Sequence, residues 1–116
     1  MARVDVLPRI RVLRGEEIAL GPGKADLLAA IAERGSISGA ARQLAMSYMR
    51  AWTLIRTMNR CFRGPLVAAT RGGAGKGAAT LTVTGRKALR LYREMEAESR
   101  RASSRSWREL RRLIRS

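Results

Sequence analysis

At 116 residues the chain has the size of one domain with a single modest core. Its composition, 46% hydrophobic but only 4% aromatic, assigns that core to Leu, Ile, Val, Ala and Met and makes a folded chain the default expectation. The 24 Lys and Arg against 9 Asp and Glu leave a net charge of +15, a field that attracts polyanions, either nucleic acid or an anionic membrane surface.

Residues 3 to 14, "RVDVLPRIRVLR", alternate Val4 and Val6, then Ile10 and Val12, with polar neighbours, which predicts a short strand interrupted by Pro8. "GEE" turns the chain into Ile18 to Leu20, giving a small, edge-like hairpin. From Pro22 the period changes to helical: Ala25, Leu28, Ile31 and Ala32 repeat on one face, and Gly35 after Arg34 ends a first helix over about residues 23–34. Ser38 has the chemistry to cap a second helix, with Ala41 and Leu44 inward, and Gly39 and Ala40 are small enough for close helix approach. Nine residues on, Ser47 can cap a third, carrying Ala51, Leu54, Ile55, Met58 and Phe62 inward to its end at Gly64-Pro65. Two short helices joined by so tight a turn form a helix-turn-helix, whose second helix can enter a DNA major groove.

"PLVAAT" then reads as a strand, "RGGAGKGAA" as a glycine-rich loop and "TLT" as a returning strand, so a wing follows the helix pair. Thr82 caps a long helix over about residues 83–102, with Leu89, Tyr92 and Met95 along one face. The last stretch, "SSRSWRELRRLIRS", carries a capping box from Ser106 to Glu109 and an apolar line through Trp107, Leu110, Leu113 and Ile114. Arginines fill the positions between. The division predicted is therefore a winged helix-turn-helix domain over residues 1–102 and a basic amphipathic tail over 103–116. The fold class is mainly α with small β-hairpins (α+β), ending in a long C-terminal helix.

Charge is not spread evenly along these elements. Residues 1–33 hold five basic and five acidic side chains, whereas no Asp or Glu stands between Glu33 and Glu94, a stretch with twelve Lys or Arg. Other chemistry is scarce. A single cysteine, Cys61, excludes an intramolecular disulfide and reads as a small buried or half-buried apolar residue; the absence of histidine removes the common zinc ligand sets. "GGAGKG" resembles a phosphate-cradling loop, but Thr70 and Gly77 stand where that pattern needs Gly and Ser or Thr. No nucleophile with a base, metal cluster or paired carboxylates emerges, so neither an enzyme nor a cofactor is expected. No run of about 18 apolar residues offers a membrane span, and Met1 to Gly15 carries charges unlike a signal peptide, so a cytoplasmic protein is expected.

Several residues are candidates for contact with double-stranded DNA. Ser47, Tyr48, Met49 and Arg50 occupy the first turn of the third helix, and Thr53 and Arg56 continue outward. Arg50 suits a bidentate contact to guanine, a solvated surface cation being the alternative. Met49 suits either a thymine methyl or core packing, and Tyr48 either a phosphate or a partly buried helix start. Trp52 belongs in or at the edge of the core. Ser36, Ser38 and Arg42 lie where the preceding turn and helix would cross a phosphate backbone. Arg71 and Lys76 on the glycine loop suit phosphate or minor-groove contact.

Taken in order, "LLAAIAERGSISGAARQLAMSYMRAWTLIRTMNRCF", "PLV" and "RGGAGKGAATLTVTGRKALRLY" resemble the winged helix-turn-helix domain of the ModE family of molybdate-responsive transcriptional regulators, a relative of the LysR-type domain. The likeness runs from about residue 18 to 97. It implies a homodimer on an inverted-repeat operator, with the first and last helices of the domain contributing to the dimer surface. Members of that family continue into a molybdate-binding domain of small β-barrels, whereas this sequence reaches Ser116 with an arginine-rich tail, a departure that leaves direct molybdate sensing open. Two rival readings stand beside a specific regulator: a non-specific architectural DNA-binding protein, and a DNA-binding subunit that borrows a separate effector-binding protein through its tail. The tail itself fits a helix adding DNA affinity, packing on the dimer or another protein, or an interfacial helix at a membrane.

Overall fold

The computed structural model describes residues 2–70 and 77–115. Strands β1 (Val12–Arg14) and β2 (Glu17–Leu20) form an antiparallel hairpin whose turn places Gly15 at a φ of 62°, in the left-handed region. The strand is shorter than the sequence pattern suggests. With only four residues in β2 to pair with, residues 2–11 form no strand and run instead beside the long C-terminal helix, where the Tyr92 hydroxyl donates to the Ile10 carbonyl at 2.6 Å and Arg100 meets Asp5 at 3.7 Å.

Helix α1 (Pro22–Arg34) starts on Pro22 and stops at Gly35, whose φ of 72° lets its N–H reach the Ile31 carbonyl at 2.8 Å. Helix α2 (Ile37–Gln43) begins two residues earlier than expected. Its cap is Ser36, whose Oγ accepts from the Gly39 N–H at 3.0 Å, while Ser38 lies inside the first turn and faces solvent. The reason is packing: Ile37 is 5% exposed, and the helix must include it to turn it into the core. Helix α3 (Tyr48–Cys61) is capped by Ser47, which accepts from the Arg50 N–H at 3.1 Å.

Strands β3 (Val67–Thr70) and β4 (Ala78–Leu81) pair in antiparallel register, Val67 opposite Leu81 and Thr70 opposite Ala78. Helix α4 (Val83–Ala102) is capped by Thr82 as expected. Helix α5 (Ser104–Arg111) follows after Ser103 alone, with no side-chain cap, so Ser106 and Glu109 lie within it and form no capping box. There is no space for a fresh start. Ser103 sits at φ −91° and ψ 0° with its hydroxyl returned to the Ser99 carbonyl, and the chain changes direction while remaining helical.

The core gathers Leu27, Leu28 and Ile31 of α1, Ala40 and Ala41 of α2, Ala51, Ile55 and Met58 of α3, Leu66, Val67 and Leu81 of the wing, and Tyr92 of α4. Each large side chain so enclosed contributes about 1.5–3 kcal/mol relative to exposure. α4 continues past this core, and the molecule measures 56 × 33 × 23 Å.

Candidate nucleic-acid interface

Helix α3 divides cleanly by angle. At 100° per residue, Ala51, Ile55 and Met58 fall on one side and are buried, while Met49, Thr53, Arg56 and Arg60 fall opposite and are exposed. Arg50 stands on the flank of that outer stripe. Ser36 is half-buried and committed to capping; Ser38, Arg42, Ser47, Tyr48, Met49, Arg50, Thr53 and Arg56 are all exposed, and they lie on two adjacent crossed helices. Met49, at 66% exposure, is therefore not a core residue, and Tyr48 stands at 47% with its ring edge-on to Trp52, 6.3 Å between centroids. Trp52 packs against the core margin, as expected. Thr53, though exposed, has its hydroxyl turned back to donate to the Met49 carbonyl at 2.9 Å. Arg71 and Lys76 lie outside the described residues.

The wing is fixed to the helices by residues whose roles are not evident from spacing. Asn59 Oδ1 accepts from the N–H groups of Leu66 and Val67 at 2.8 and 3.2 Å, and its Nδ2 donates to the Val67 carbonyl at 3.3 Å, so one side chain clamps the start of β3 to α3. The Ala79 N–H donates to the Gly35 carbonyl at 2.9 Å, tying β4 to the end of α1. Thr82 donates to the Pro65 carbonyl at 2.6 Å while accepting from the Gly85 N–H at 2.9 Å. Gly85 itself admits nothing larger, since a Cβ there would stand 2.0 Å from the Leu66 carbonyl oxygen.

Electrostatics single out a residue that sequence reasoning missed. Lys24, at the start of α1, is half-buried, and that burial lowers its pKa; the charge of Arg50 acts in the same direction, opposed by Cys61 and Glu17. An ammonium from a different helix thus feels the charge of Arg50. No sequence signal marks it, because Lys24 belongs to an ordinary helix start. Below it, Glu17 of β2 pairs with Arg60, and that hydrogen bond holds the carboxyl below the usual glutamate range. Half-buried Cys61 lies 4.0 Å from the same carboxylate. Arg42, Arg50 and Arg56 have no ion-pair partner among the described residues. Nor, among those residues, is there a group of three His, Cys, Asp or Glu able to hold a metal ion, or a helix long and apolar enough to cross a membrane.

A capped helix carrying unpaired cations on its outer side, crossed by a short helix and backed by a clamped hairpin, defines a winged helix-turn-helix protein. The chain belongs to the bacterial regulatory helix-turn-helix proteins of the lysR family, whose family model matches residues 24–86. Among curated proteins it is 41% identical over 86 residues to the molybdenum-pterin-binding protein MopB of Rhodobacter capsulatus, a match covering 74% of this chain and 32% of MopB. It is 38% identical over 77 residues to the DNA-binding transcriptional dual regulator ModE of Escherichia coli strain K12, covering 66% of this chain and 29% of that protein. The chain thus spans about a third of the length of these relatives, and over that region it is similar to MopB and ModE. In fold it is similar to ZitR of Lactococcus lactis (E41A mutant), with a TM-score of 0.54 at 15% identity, covering 91% of this chain and 70% of that one.

Proposed function

We propose that the protein is a transcriptional regulator that binds double-stranded DNA in the cytoplasm as a dimer, reading an inverted repeat with α3, and that it performs no catalysis. The observation that carries this reading is the outer side and flank of α3, where Met49 and Arg50 at the helix start, and Thr53 and Arg56 beyond them, are exposed. A helix in the major groove contacts bases through such N-terminal residues. Arg50 supplies a bidentate guanine contact and Met49 an apolar surface for a thymine methyl. Arg42 and the cap at Ser36 lie where phosphates would pass, and Arg71 and Lys76 of the glycine-rich stretch add cations suited to phosphate or minor-groove contact. The link to molybdenum metabolism rests on relatives named for molybdenum-pterin binding and molybdenum transport.

For the dimer, α1 and α4 supply the surface. Leu91 and Met95, 42% and 39% exposed, share a stripe of α4 with half-buried Ala88.

In vitro selection on a randomised duplex library at about 0.15 M salt, where non-specific electrostatic binding is weakened, tests the reading. The expected product is an inverted repeat with half-sites about one helical turn apart. The net charge of +15 favours one alternative, an architectural protein without sequence preference. DNA retained with no enriched sequence would establish that alternative and remove Arg50 from the base-reading role.

A further inference from the structure

Helix α5 is the densest concentration of unpaired charge in the described residues. Arg105, Arg108, Arg111, Arg112 and Arg115 fall within eleven positions, all exposed, and none has an ion-pair partner among the described residues. Of the five arginines of α4, by contrast, Arg90, Arg93 and Arg100 each meet a carboxylate within 4 Å. Arg105 and Arg108 of α5 and Arg112, the residue that ends it, line one open groove together with Glu109. Their spacing of three and four residues aligns them along one helix face. Every cation of the tail is arginine, whose planar fork matches phosphate oxygens two at a time where lysine offers only a point charge.

We propose that α5 is a second, sequence-independent phosphate-binding element, through which the protein grips a DNA backbone outside the contacts made by α3 and the wing. This inference rests on the DNA-binding reading given above. Duplex phosphates are the occupant that the charge selects, since three arginines lining one groove call for successive anions at close spacing. Tethering reinforces the choice. Once α3 engages a duplex, α5, within a molecule 56 Å long, meets phosphates at a local concentration far above that of free anions. Helix α5 contributes no buried residue, so the arginines can be changed without disturbing the fold.

The test compares the full chain with its Arg105→Gln/Arg108→Gln/Arg112→Gln variant by fluorescence anisotropy across a salt series. Probes are a selected operator duplex, a random duplex of equal length, and vesicles of phosphatidylglycerol in phosphatidylcholine; melting temperature controls for folding. The variant should bind both duplexes about tenfold more weakly at 0.15 M salt, by the same factor, with the salt slope reduced by roughly 2–3 per chain, about 0.9 for each lost phosphate contact. Unchanged affinity and slope on both duplexes would overturn the proposal while leaving the function of α3 intact. So would vesicle binding that disappears in the variant while duplex binding does not change. If the unaltered protein binds no duplex at all, the DNA-binding reading itself fails, a result distinct from either.

Discussion

Two residues show how much rides on single atoms here. Arg50 is exposed, unpaired among the described residues and held at the first turn of α3 by the Ser47 cap, so its guanidinium is free to choose a partner. Arg50→Ala should relax base preference at one position per half-site, by about 1–3 kcal/mol of discrimination, with a smaller loss on random DNA. Equal losses on both, measured by competition binding, would make Arg50 an ordinary surface cation. Gly85 has the opposite character, being buried and useful only for its missing side chain. Gly85→Ala forces α4 away from the Leu66 carbonyl and should cost about 3 kcal/mol, lowering the melting temperature by roughly 10 °C. A melting temperature within two degrees of the parent would refute so close an approach.

At the scale of elements, the wing and the N-terminal segment depend on side chains from distant helices. Asn59→Ala would leave the buried N–H groups of Leu66 and Val67 without their acceptor, at about 1–3 kcal/mol each, and loosen β3 from α3. Hydrogen exchange should then quicken in β3 and β4 while α1 remains protected; uniform protection would show that other contacts suffice. The N-terminal segment is held by the Tyr92 hydroxyl on the Ile10 carbonyl. Burial raises the pKa of that phenol, so the folded state keeps its proton where the unfolded chain would lose it. Stability from this source is complete below the ordinary tyrosine range and is lost as pH rises through the raised value. Denaturant titrations should therefore show a decline above about pH 10, and Tyr92→Phe should reduce it. An identical decline in the variant would assign the effect to other groups.

For the whole molecule, the proposed dimer is tested at its exposed apolar residues. α4 leaves the core carrying Leu91 and Met95 at its surface, and a dimer through α1 and α4 would cover them. Sedimentation should find a dimer at micromolar concentration, and Leu91→Glu with Met95→Glu should yield a monomer that binds single half-sites far more weakly than the dimer binds its repeat. A dimer persisting in that variant would place the interface elsewhere.

Much of the fold is legible in the chain because its signals are local. Ser47 and Thr82 cap the helices they precede, Gly35 stops α1, and the apolar period of α3 separates Ala51, Ile55 and Met58 from the exposed side. These depend on neighbours within one or two helical turns, so spacing alone reveals them, and the acid-free stretch marks the basic side in the same way. Only the tertiary structure decided that α2 begins at Ser36, because Ile37 answers to the core before it answers to a cap. It also decided that residues 2–11 run beside α4, that Asn59 and Gly85 hold the wing, and that Lys24 is half-buried. Each of these joins residues of separate elements, and which groups meet depends on how the helices and strands pack, a property that no run of neighbouring residues contains.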